Sequence, residues 1–395
     1  MDASTSRKID SLVENFNNNS LSRREFIKRG VQLGFSASLL SGLITSFPKN
    51  SIGAEVSGEL LEKIKDEGDK LNILSWSNYI DPDIIPNFEE KYGINVTLDT
   101  AGGNSEILAK IQAGGGGYDI AVPTQQYSVI MRNMNLLQEL NKEWIPNYEN
   151  INPKFVDTNY DPGGKYTVPY QWGTNIYGFN SKYVKDIPFT DSMWLPQMGP
   201  VFRKEYSGRI AALNEFPETV QMVNGFLGHS INVKDEKPLL ETKEIMVAQK
   251  PWMKGYLPGA AILKQLINGS IWIGENWNGK VVRAVKENPD VKPLIPREKF
   301  IVWVDVMVLT NKAPHPAAAH LFMNYLLEPE VGAKLSNFNR YPTPNKAAMD
   351  YINPEDRDNP IIYPPEERLN RAEFSLPISG KPLDRYENIW EAVVG

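Results

Sequence analysis

Between Leu71 and Asn133 the chain alternates short apolar runs with amphipathic stretches, and this alternation limits its fold more than any other feature. Residues 71–76, 94–98 and 118–123 read as strands, and residues 83–92, 105–113 and 126–133 as helices. Gly93 closes the first helix, and Asn104 is placed to cap the second, which runs out into Gly114–Gly117. Strands separated by helices at this spacing call for a doubly wound α/β layer with a mostly parallel sheet. Loops at the carboxyl ends of such strands line a ligand crevice, here residues 75–81, 99–104 and 123–127. The four-glycine run is not a phosphate loop, because it ends a helix and no Lys-Ser/Thr follows it.

A second α/β unit follows an extended stretch, Tyr166–Gly173 and then Ile176–Asn180, that reads as a strand leaving the first unit. This second unit spans about residues 183–300. It includes a strand at 209–213, a helix at 217–227 and Ile271–Gly274 ahead of Trp277-Asn278-Gly279. Ile301–Met307 returns the chain as a buried strand, a helix at 317–327 has the 3.6-residue period, and 341–345 is a rigid Tyr-Pro-Thr-Pro-Asn turn. The resulting division is lobe 1 over 71–174 plus 304–349 and lobe 2 over 175–303 plus 350–395. At 395 residues, 41% of them hydrophobic, the chain is long enough for two cores of this kind.

The returning strand holds an anomaly. Asp305 stands inside an apolar β-branched run, where an ionised carboxylate is costly unless something positive meets it. Trp303, two residues away, points to the same side of a pleated strand. A carboxylate beside an indole suits an organic ammonium ion, and read alone it suits equally well a turn-capping Asp beside a core Trp. The predicted strand-end loops and connections add Trp76, Tyr79 and Thr124 from the first lobe, Glu215, Glu218 and Trp277 from the second, and Tyr341 from between them. Glu215 and Glu218, three apart at a predicted helix start, would share a face. Several aromatics and three carboxylates on one cleft fit a flexible polycation, the acids holding its ammonium groups and the rings its methylene stem.

Net charge is -6, and the first 54 residues carry +3 of it (seven Lys/Arg against four Asp/Glu), leaving -9 on the rest. An acidic body disfavours nucleic acid and mildly favours a cationic ligand. There is no Cys and there are three His, which excludes disulfides and thiolate metal sites, and no cofactor is expected. Within residues 1–54, Ser22-Arg23-Arg24-Glu25-Phe26-Ile27-Lys28 precedes a weakly apolar stretch to Phe47 and a candidate cleavage point after Ala54. That pattern resembles a twin-arginine export signal and implies a periplasmic protein. Residues 55–70 would be a spacer or a first helix.

Ordered along the chain, Trp76-Ser77-Asn78-Tyr79, Tyr118–Thr124, Val168–Gly173, Trp277-Asn278-Gly279, Trp303-Val304-Asp305 and Tyr341–Asn345 resemble the bacterial spermidine/putrescine-binding proteins of ABC transporters. The resemblance runs from Leu71 to the C-terminus and implies the two-lobed type II periplasmic solute-binding fold, each lobe a doubly wound mixed sheet flanked by helices. It implies an aromatic box of Trp76, Tyr79, Trp277 and Trp303 around a polyamine stem. Asp305 and Glu218, with Glu215 nearby, would hold amines, Ser77 and Thr124 would offer hydroxyls, and Tyr341 would close one end. It also implies a monomer that hands its ligand to an inner-membrane ABC permease and has no catalytic residues. Some positions depart from the family pattern. Glu215 stands where Asp is usual, Pro217 where a longer polar side chain is usual, and Gln126 where spermidine binders carry Tyr. The C-terminal contact, often Gln, falls near Phe374-Ser375.

Two other classes are open on the residues alone. One is a type II receptor for a different small cation. An oxyanion or ferric receptor fits less well, because Asp81 and Asp83 sit at the first crevice loop and no His falls on one. The other is a hydrolase using Glu215 and Glu218, which no nucleophile elbow or His-based triad supports.

Overall fold

A computed structural model describes residues 58–114, 117–185 and 204–395. The twin-arginine pattern and its leader lie outside the described residues. Of the two readings for the segment after the leader, the helix is realised: α1 spans Gly58–Glu67 and buries Leu60 and Ile64. Each such aliphatic side chain removed from water is worth about 1.5–3 kcal/mol. Glu67 also accepts the amides of Ala317 and Ala318 at 3.0–3.4 Å, so α1 is fastened to the fold at a helix N-terminus.

The sequence then delivers β1 (Lys70–Trp76), α2 (Ile84–Tyr92), β2 (Asn95–Ala101), α3 (Asn104–Gln112), β3 (Ile120–Ala121) and α4 (Gln125–Asn133). After 3-10 turns comes β4 (Thr167–Asn180), one uninterrupted strand of 14 residues that joins the two extended stretches read from the sequence. Every residue of β4 is buried. The second half is β5 (Ile210–Leu213), α5 (Glu218–Phe226), α6 (Glu236–Gln249), β6 (Gly255–Leu257), α7 (Gly259–Ile267), β7 (Ile273–Trp277), α8 (Asn278–Glu287) and β8 (Val291–Leu294). β9 (Phe300–Leu309) leads back to α9 (Pro316–Leu326) and α10 (Pro329–Asn339). The C-terminal stretch is α11 (Pro354–Arg357), α12 (Glu366–Leu369), β10 (Ala372–Phe374) and α13 (Lys381–Val394).

The strands form one sheet in the order β2-β1-β3-β9-β4-β7-β5-β6, with β8 also on β4 and β10 on β9. Both flanks are parallel, as crossovers through helices require. The middle is not: β3–β9, β9–β4 and β4–β7 are antiparallel, so the sheet is mixed, as the family resemblance implies, and the parallel layer expected over residues 71–133 is its β2-β1-β3 flank. The reason is that β4 leaves the first half and β9 re-enters it, and the two run side by side in opposite directions across the middle.

Two local expectations change. Asn104 is the first residue of α3, with Gly103 in the cap position, so it does not cap the helix. Glu215 lies before α5, whose cap residue is Pro217, so Glu215 and Glu218 do not share a helix face.

Candidate functional site

The register of the central strands assembles a site. Opposite Gln171, Gly173 and Asn175 of β4 stand Asp305 and Trp303 of β9 and Trp277 of β7. Residues two apart on a strand share a face, and directly paired residues of antiparallel strands share it too. Gly173 is required here, because a Cβ would overlap the Trp303 indole.

Asp305 is 6% exposed and accepts from two hydroxyls, Tyr79 Oη on Oδ2 and Thr124 Oγ1 on Oδ1, both at 2.7 Å. Thr124 is itself held by Asn104, whose side chain accepts the Thr124 amide and donates to Oγ1, both at 2.9 Å. Tyr170 fixes Tyr79 from behind by donating to its carbonyl at 2.9 Å. The rings then run in edge-to-face contact from Tyr170 to Tyr79 to Tyr341 to Trp303, with centroids 5.1–5.9 Å apart. Such contacts fix ring orientation as well as burying area. Burial pushes the Asp305 carboxyl up to about 7; the two hydroxyls pull it down, and Glu218 pushes it up again.

Glu218, 7% exposed, forms a second acidic pole with half-buried Glu215. Its Oε2 accepts from Asn175 Nδ2 and from the Trp277 indole N–H, each at 3.3 Å, and Gln126 adds a further hydrogen bond. Burial raises the Glu218 carboxyl, and burial with the Glu218 charge pushes Glu215 up to about 8. Beneath them Glu275 is fully buried; it too is pushed up to about 8 by burial, with Glu218 adding to the rise. Three acceptors around this pole have no hydrogen-bond partner among the described residues: Gln126 Oε1, Asn175 Oδ1 and Glu275 Oε1.

Most sequence candidates therefore converge. Tyr79, Thr124, Asp305, Trp303 and Tyr341 form one contact chain, and Glu218, Trp277 and Glu215 a second that Asp305 feels electrostatically. Trp76 packs at the edge of the core, its indole N–H donating to the Val122 carbonyl at 2.8 Å. Ser77 is exposed in the turn after β1 and joins neither chain. The Phe374-Ser375 region is turned inward: Ser375 is fully buried and hydrogen bonds Gln221 and Gln125. Asn104, Tyr170, Asn175 and Glu275 are the members that sequence reasoning missed, while Gln126 was singled out only as a departure from the family pattern. Glu275 could have been found, since it is a carboxylate directly after the apolar run Ile271–Gly274 and ahead of Trp277.

None of the four acids is paired with a Lys, Arg or His among the described residues. Asp81 and Asp83 at the start of α2 differ, because Lys334 bridges them at 3.5 and 2.6 Å.

The family model for bacterial extracellular solute-binding proteins matches residues 83–362. The chain belongs to that family. This solute-binding protein is 29% identical over 359 residues to the putrescine-binding periplasmic protein PotF of Escherichia coli, covering 87% of this chain and 96% of the relative. It is 25% identical over 332 residues to a putrescine/cadaverine-binding protein of Pseudomonas aeruginosa, covering 82% and 93% of the two chains. Among solved structures, the spermidine/putrescine ABC transporter substrate-binding protein PotD of Streptococcus pneumoniae superposes with a TM-score of 0.73 at 28% identity. That superposition covers 82% of this chain and 98% of the other. The solute-binding protein thus has the two-lobed type II periplasmic-binding fold and is not an enzyme, which removes the hydrolase alternative.

Proposed function

We propose that this protein is the polyamine-capturing component of an ABC transporter and that the ligand binds between its lobes. The observation that carries this reading is the set of buried carboxylates, Asp305 and Glu218 above all, neither of them ion-paired with a Lys, Arg or His among the described residues. Such groups are tolerable when a cation arrives with the ligand, since an uncompensated buried charge is expensive. The unpartnered acceptors around Glu218 point the same way, because an ammonium group brings three donors and no acceptor. One ammonium would sit at Asp305 and another at Glu218 and Glu215. Tyr79, Trp277, Trp303, Tyr341 and Trp76 would wall the methylene stem, and Thr124 and Ser77 would supply hydroxyls.

β4 and β9 form the crossing between lobe 1 (71–174 plus 304–349) and lobe 2 (175–303 plus 350–395). Closure would flex these strands near Gly173–Asn175 and Trp303–Asp305 and the connection near Ala348–Asp350, trapping the amine for delivery to an inner-membrane permease. The twin-arginine pattern would bring a folded monomer to the periplasm. Polyamine-binding names among its relatives support the ligand class.

Isothermal titration with putrescine, spermidine and spermine tests the reading directly. Saturable binding of at least one amine, with a rise in melting temperature by mass action, is expected, and sugars and oxyanions should give neither. Absence of binding by all three amines would overturn it.

A further inference from the structure

Among the described residues, a cation stands beside this acidic site. Lys280, the third residue of α8, places its Nζ 5.6 Å from the centroid of the Trp277 ring. Lys280 is half-buried, and among the described residues no carboxylate offsets its charge; burial and Arg283 both push its ammonium below the usual lysine range. Trp277 is therefore held from two sides, its indole N–H on Glu218 Oε2 at 3.3 Å and its face under an ammonium.

The two acidic poles account for two ligand ammonium groups. A third group on the same chain has to extend past one pole or the other. At the Asp305 end the way is shut, because Tyr79, Tyr170, Tyr341 and Trp303 are each under 10% exposed and packed edge to face. At the Glu218 end stands Trp277, which is only half-buried. A chain extended past Trp277 would come up against the Lys280 ammonium on that ring. Like charges a few ångströms apart repel strongly where water is scarce, and the indole face that would attract the ligand cation is already taken.

We propose that Lys280 is a specificity-determining residue whose ammonium, held on the Trp277 face, disfavours a third ligand ammonium and so selects diamines over triamines. This rests on the amine-binding reading above and deepens it. The charge on Lys280 acts on the difference between ligands and not on their common contacts at Asp305 and Glu218.

The test is calorimetric titration of butane-1,4-diamine and spermidine into the full protein and into Lys280→Met, Lys280→Gln and Lys280→Arg, each first shown to melt cooperatively. The spermidine-to-diamine ratio of dissociation constants is expected to fall by about tenfold in the Met and Gln variants and to return in the Arg variant. Added salt should narrow that ratio in the wild-type protein and leave it nearly unchanged in the Met variant, as a charge effect requires and a packing effect does not. A ratio that is the same in Lys280→Met as in the wild type would overturn the proposal. Binding of neither amine by the wild-type protein would remove the amine-binding reading, and the proposal with it.

Discussion

Gly173 lies directly beneath the indole of Trp303, and a Cβ there would overlap that ring and stand 2.6 Å from Asn278 Oδ1. The pairing register places these two residues opposite each other across β4 and β9. Gly173→Ala therefore forces Trp303 out of its contact with Tyr341. Overpacking of this kind costs about 1–3 kcal/mol of stability. Denaturant melts should show that loss together with a change in tryptophan emission; an unchanged midpoint would mean the strand shifts freely.

Among the described residues Asp305 has no cation of its own, so its removal should act on ligand binding far more than on the stability of the protein. Asp305→Asn is expected to weaken amine binding by about 2 kcal/mol or more. The unliganded protein should lose little stability at neutral pH, since burial already holds this carboxyl up to about 7. Titration calorimetry and thermal melts on one preparation separate the two effects. Equal affinity in the variant would take Asp305 out of the site.

The pH dependence follows from the whole acidic group. Asp305 is held up to about 7, Glu215 and Glu275 to about 8, and Glu218 is raised with them. Unfolded, such carboxyls titrate near pH 4. Below that pH both states are protonated and this contribution to stability is fully present. As pH rises from about 4 to about 8 the unfolded chain releases its protons first, so the contribution is lost through that window. The four act on one another, so the transition belongs to the group and not to one residue. Melting temperature of the unliganded protein should fall across this range, and saturating amine should flatten the fall. Binding near pH 7 should release protons, seen as a heat that changes with the ionisation enthalpy of the buffer; a buffer-independent heat would contradict it.

Asn104 acts at one remove. Its amide holds Thr124 by two hydrogen bonds, and Thr124 holds Asp305. Asn104→Ala should cost about 1 kcal/mol in stability and lower amine affinity by several-fold. Thr124→Val should repeat the affinity loss, and the double variant should lose less than the two losses added, because both act along one chain of contacts.

Much of this was legible in the sequence. Each strand and helix expected between Leu71 and Asn133 is present with shifted ends, because hydrophobic period and Gly93 act locally. Asp305 announced itself as a charge inside an apolar run. Glu215 was misplaced because the spacing to Glu218 was taken as helical before α5 begins. Asn104, Tyr170 and Asn175 were missed for a common reason: each acts through a partner 20–91 residues away, set by register and crossover. The mixed sheet was expected from the family resemblance alone, since strand direction depends on where β4 and β9 cross and not on their composition.

The hydrogen bonds that Asp305 already makes fix how it can be approached. Its carboxylate has about four lone-pair positions, and the hydroxyls of Tyr79 and Thr124 occupy one on each oxygen. What remains open takes hydrogen-bond donors, so this end of the cleft reads hydrogens as well as charge. A primary ammonium can give two hydrogens to the carboxylate and turn its third towards a ring. A quaternary ammonium of similar size carries the same charge and fits the same rings, yet arrives with nothing to donate.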